Sequence, residues 1–163
     1  MTKWLNLYGK QYLGFWALGL VLFVLQEIPY IIMPLFHPEK NPIMNMQESS
    51  LVLEVCEKIL GVVCIVLMTF VVHGDAGFFS IKSGKEKLFF CVAMGILLMN
   101  FGGWYLYFTG HQSLAVMMIF IVALPPLYYV FIGLWRENIP LVAVGIAFLV
   151  VHFVHVLGNL KMG

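Results

Sequence analysis

The sequence predicts an all-α integral membrane protein, a five-transmembrane-helix bundle with its N-terminus cytoplasmic and its C-terminus outside. Three observations predict it. Of the 163 residues, 62% are hydrophobic and only 10% charged, where a soluble domain carries about a quarter charged. Five apolar runs, residues 12–36, 51–73, 88–109, 113–135 and 139–160, are each long enough to cross about 30 Å of hydrocarbon at about 1.5 Å per residue. With the N-terminus inside, Lys3, Lys10, Lys82, Lys85, Lys87 and Arg136 are cytoplasmic, against Lys40 and Lys161 outside, as the retention of positive residues requires. The expectation is a multi-pass protein of the cell membrane, a single transmembrane domain over 1–163 whose first partner is the lipid bilayer.

The first run follows Lys3 and Lys10 as a signal peptide would, but it is too long and no small-residue cleavage site follows. Residues 37–50 are polar and broken by Pro38 and Pro42, and Ser49 or Ser50 is a good N-cap for the second helix. Glycines and three lysines mark 74–87 as an irregular loop, with His73 and Asp75 as its cap and turn residues. The connections at 110–112 and 136–138 are short, so the helices they join are antiparallel neighbours. Pro125 and Pro126 fall inside the fourth helix and remove two backbone donors, which predicts a kink. Trp4, Trp104, Trp135, Tyr105 and Tyr107 lie near the ends of runs, where interfacial aromatic belts form.

Composition also excludes several classes. A net charge of +1 offers no basic field for nucleic acid. Cys56, Cys64 and Cys91 form no CxxC pair and read as small buried hydrophobes. The stretch around Ser83, Gly84 and Lys85 has the wrong glycine spacing for a phosphate-binding loop, and Glu86 follows the lysine. No nucleophile elbow, catalytic triad or dinucleotide fingerprint occurs.

What remains is a set of polar groups inside apolar runs, where ionisable side chains face protein, water or a ligand. Counted from the run ends, Glu27 lies about 22 Å up the first helix, Asn100 about 18 Å up the third, and His152 and His155 about 20–24 Å up the fifth, with Glu54 and Glu57 about 5–9 Å down the second from outside. All fall in the outer third of the bilayer. Helical spacing aligns Gly145, Phe148, His152, His155 and Asn159 on one face, Glu54, Glu57, Gly61 and Cys64 on another, and Phe23, Glu27, Tyr30 and Pro34 on a third. If these faces point inward, helices one, two, three and five enclose an outward-facing Glu/His/Asn cavity.

Such a cavity suits binding or transport of a small cationic solute or a metal ion. In the first case Glu27, Glu54, Glu57, Asn100 and Asn159 supply acceptors and Tyr30 and Trp104 supply ring faces. In the second, His152 and His155 join the carboxylates around a divalent metal such as zinc. The same groups also suit proton carriage. Two alternatives use the same residues: a metal-dependent membrane enzyme that activates water, and a non-catalytic accessory or scaffolding subunit whose polar residues only pack helices. A five-helix protomer is small for a complete transporter. A homo-oligomer or larger membrane complex is therefore expected, and Ala143 and Ala147 give a small-xxx-small spacing that permits close helix approach.

Overall fold

A computed structural model describes residues 2–36, 41–47 and 49–162, with the side chains of all these except Pro34, Phe36, Lys161 and Met162. The expectations placed on Pro38, on Lys40 and on the side chains of Pro34 and Lys161 fall outside what is described. The chain is mostly helical, in the order β1 (Thr2–Tyr8), β2 (Gln11–Phe15), α1 (Ala17–Phe36), α2 (Leu51–Phe70), β3 (Val71–His73), α3 (Gly84–Phe108), α4 (Leu114–Trp135) and α5 (Ile139–Met162). Among the described residues, three helices are long and apolar enough to cross a membrane: Gly84–Phe108, Leu114–Trp135 and Ile139–Leu160.

The fold is not all-α. Residues 2–15 form an antiparallel hairpin with Tyr8 opposite Gln11 across a Gly9–Lys10 turn, where Gly9 adopts φ 53°. β3 adds to β2, with Gln11 opposite His73 and Leu13 opposite Val71, giving a sheet of order β1-β2-β3. The first helix therefore starts at Ala17, five residues later than the apolar run suggests, because Tyr12, Leu13 and Phe15 belong to a strand. The second ends at Phe70, three residues early, for the same reason.

Trp16 ties the sheet to the helices. Its backbone N–H donates to Thr69 O at 2.9 Å, its indole Nε1 donates to Phe78 O at 2.7 Å, and its ring meets Trp135 edge-on at 5.7 Å. Arg136 lies over the same indole, 4.4 Å from its centroid, and donates to Gly77 O at 2.7 Å. Burial there lowers the guanidinium pKa to about 10, which leaves it a cation at neutral pH. Lys3 donates to Gly74 O, Lys82 to Asp75 O, and Lys10 to Asp75 Oδ2 at 2.8 Å. Four of the six lysine and arginine residues predicted to be cytoplasmic thus meet in contacts at one end of the molecule.

The helices pack chiefly as α3 on α4, α4 on α5, and α2 on α5. Their common core holds Leu22, Cys64, Met68, Ile96, Leu97, Tyr128, Ile132, Trp135 and Leu141. Ser50 and Ser113 cap α2 and α4. Trp104, Tyr107 and Trp135 are buried in the bundle rather than placed in an aromatic belt, while Trp4 and Tyr105 are exposed. Of the cysteines, Cys64 is buried and Cys56 and Cys91 are exposed, which corrects the reading of all three as core residues.

Tandem proline acts on α4 as a change of winding. Residues Met117–Ala123 are π-helical, directly before Pro125 and Pro126. In a π ladder the carbonyls of Phe120 and Ile121 would accept from the N–H groups of residues 125 and 126, and proline has none. Both carbonyls are satisfied by side chains instead: Asn100 Nδ2 donates to Phe120 O at 2.7 Å, and Tyr30 OH donates to Ile121 O at 3.0 Å. Gly103 makes this approach fit, since a Cβ there would lie 2.2 Å from Phe120 Cβ.

Candidate functional site

The inward stripe of α5 meets α2 through one carboxylate. His155 Nδ1–H donates to Glu57 Oε2 at 2.5 Å, and His152 Nδ1 lies 3.2 Å from Oε1 without hydrogen-bond alignment. Asn159 continues the line. Its Oδ1 accepts from the backbone N–H of Ser49 at 3.0 Å, so its amide Nδ2–H faces His155 Nε2 at 3.1 Å. A backbone N–H can only donate, which fixes the orientation of the Asn159 amide. That orientation and the Nδ1–H···Oε2 bond are those of the His155 tautomer protonated at Nδ1. Glu57, His155, Asn159 and Ser49 therefore clamp α5 to α2 and to the segment that leads into α2.

One turn deeper, a cavity of about 150 Å³ opens between α1, α2, α4 and α5. It is lined by Gln26, Glu27 and Tyr30 from α1, Gly61 and Ile65 from α2, Pro125 and Tyr129 from α4, and Phe148 and His152 from α5. Because α1 begins at Ala17, Glu27 stands only about 15 Å along it, and Gly61 and Pro125 stand about 15–16 Å from the other ends of their helices. The cavity thus lies near the middle of these helices rather than toward one end. α4 takes the place that the sequence reading gave to α3.

The hydroxyls that line this space have committed hydrogens. Tyr129 OH donates to Gln26 Oε1 at 3.0 Å, and Tyr30 OH donates to Ile121 O. A phenol oxygen that has donated its hydrogen still has lone pairs with which to accept, and at Tyr30 the Trp104 and Asn100 side chains also face them. No lysine or arginine lines the cavity. Among the described residues no hydrogen-bond donor or cation is paired with the Glu27 carboxylate, and the neighbouring charges are already engaged. Glu57 faces two imidazoles, and Glu54 is held by Lys58 one turn along α2.

The residues singled out from the sequence thus divide. Glu27, Tyr30 and His152 line the cavity, and Glu57, His152, His155 and Asn159 form the clamp beside it. Glu54 stands apart with Lys58. Asn100 sits against the π-helical turn of α4, and Trp104 packs its ring behind Tyr30 at 4.8 Å rather than facing the cavity. Sequence reasoning missed Gln26 and Tyr129. Gln26 is adjacent to Glu27 and 1% exposed; an amide inside an apolar run was the available signal.

The metal-centre expectation for His152 and His155 does not carry over. Among the described residues no group of three or more His, Cys, Asp or Glu is arranged to hold a metal ion. The physical reason is that Glu57 Oε2 is in direct hydrogen-bond contact with His155 Nδ1, so the two point at each other instead of converging on a third atom at about 2 Å. A second space of about 270 Å³ at the sheet end mixes Lys10, Lys82 and Arg136 with Asp75, Glu86 and Glu137. Its charges are largely spent on one another and on backbone carbonyls. No known protein family, curated protein or solved structure matches this chain.

Proposed function

We propose that this chain is a five-span membrane protein that binds a small cationic solute in the cavity at Glu27, as a carrier or receptor of that solute. One observation carries the reading: a carboxylate at mid-depth, among the rings of Tyr30, Tyr129 and Phe148, with no cation or donor paired to it among the described residues. An ionised carboxylate out of water is costly unless paired, and ring faces add to the attraction for a cation.

The membrane placement has its own support. Beside the three long apolar helices, α1 and α2 are each 20 residues, about 30 Å. Each carries an exposed apolar stripe at helical spacing: Val21, Val24, Ile28, Ile31 and Leu35 on α1, and Val52, Val55, Ile59, Val62 and Val66 on α2. Water would not tolerate two such stripes. Lys3, Lys10, Lys82 and Arg136 gather at the sheet end, which favours that end as cytoplasmic.

The test is thermal stabilisation of the protein in lipid nanodiscs by a panel of organic cations, inorganic cations and anions. A cation that raises the Tm of the wild type and leaves Glu27→Gln unmoved supports the reading. Equal stabilisation of both proteins by every cation, or by none, contradicts it.

A further inference from the structure

Resting on that reading, we infer that the solute is a short primary alkylammonium, held by its N–H groups on Glu27 and the two tyrosine oxygens, and that Gly61 sets the length of its carbon chain. The lining is divided by chemistry. Glu27, Tyr30, Tyr129, Gln26 and His152 form its polar side, on which Glu27 and the two phenol oxygens are the acceptors, because both phenol hydrogens are already donated elsewhere. Gly61, Ile65, Pro125 and Phe148 form the apolar remainder.

The Glu27 carboxylate, with no lysine or arginine beside it in the lining, disfavours anions. A single carboxylate is too few hard ligands for Ca²⁺ or Mg²⁺, which take six or more oxygens, and for Zn²⁺, which takes four ligands. A quaternary ammonium would suit the rings but has no N–H for the acceptors. A primary ammonium brings three donors and a single alkyl arm, matching both sides of the cavity. At about 150 Å³, below the roughly 300–1,000 Å³ of pockets for drug-sized ligands, the cavity suits a small ammonium such as propyl- or butylammonium.

Gly61 is where size is decided. A Cβ built there meets only Phe148 Cζ and Cε2, at 3.5 and 3.8 Å, which is ordinary contact. Alanine therefore fits without disturbing the fold and removes space from the apolar side. Phe148 closes the same side, so shortening it to leucine gives space back.

The experiment is isothermal titration of the full chain in nanodiscs with methyl-, propyl-, hexyl- and tetramethylammonium, for wild type, Gly61→Ala, Phe148→Leu and Glu27→Gln. Propylammonium is expected to bind wild type at least about tenfold tighter than tetramethylammonium, which lacks the charge-assisted hydrogen bonds. Gly61→Ala is expected to weaken propylammonium about fivefold while leaving methylammonium within about twofold, and Phe148→Leu to strengthen hexylammonium about fivefold, on the scale of one or two methylenes. Tetramethylammonium binding as tightly as propylammonium, or Glu27-dependent binding whose length preference ignores both size variants, overturns the inference and leaves the cation cavity standing. Absence of any Glu27-dependent binding overturns both.

Discussion

The role proposed for Glu27 carries a cost in stability. Its carboxylate is half-buried in the cavity, with no pairing cation among the described residues. Glu27→Gln keeps the shape and removes the charge, and is expected to stabilise the empty protein by about 1–2 kcal/mol, read as a raised denaturation midpoint in mild detergent. His155 has the opposite sign. Buried at 4% exposure against Glu57 and Asn159, it holds α5 to α2, and His155→Ala is expected to cost about 2–3 kcal/mol. Combined with Glu57→Gln, the loss should fall well short of the sum of the singles, because both changes remove one interaction. An additive pair in the same denaturation assay would show that the clamp is not a unit.

Among the elements, α4 and the sheet mark how far the sequence could be read. Pro125 and Pro126 announced a break, but not that its two freed carbonyls would be taken by Asn100 and Tyr30, which come from helices far away in sequence. An asparagine in an apolar run suggests cavity lining, but Asn100 works in α3–α4 packing. Gly103→Ala tests that packing directly. The added methyl would overlap Phe120, and a loss of about 2–3 kcal/mol is expected, with faster hydrogen exchange confined to α3 and α4. The hairpin had a legible signal, two strand-like runs around a two-residue Gly-Lys turn, which the continuous apolar run from Tyr12 concealed. At the hairpin tip, the mutual hydrogen bond raises the Lys10 pKa and lowers that of Asp75. Asp75 loses its contribution only as pH falls through the depressed carboxyl value, and Lys10 only as pH rises through the raised amine value. Stability is thus expected to be independent of this pair across neutral pH. Both groups are well exposed, so Lys10→Ala should leave the Tm nearly unchanged at physiological salt.

For the whole molecule, the periodicity of α2 and α5 brought Glu57, Gly61, His152 and His155 to the same side of their helices, because spacing within a helix is local information. Which helices face one another is not local. The sequence depths failed for Glu27 because a strand, not a helix, precedes Ala17, and α4 rather than α3 closes the cavity. The proposed topology predicts that a periplasmic-type reporter fused after residue 163 is active and one fused within the loop at 74–83 is silent, with a cytoplasmic reporter showing the reverse. The central claim is the cation at Glu27, and its most direct measurement is equilibrium binding of propylammonium to the wild type and to Glu27→Gln in nanodiscs. The account predicts saturable binding at one site per chain that Glu27→Gln weakens at least about tenfold. Equal affinity for the two proteins would contradict it.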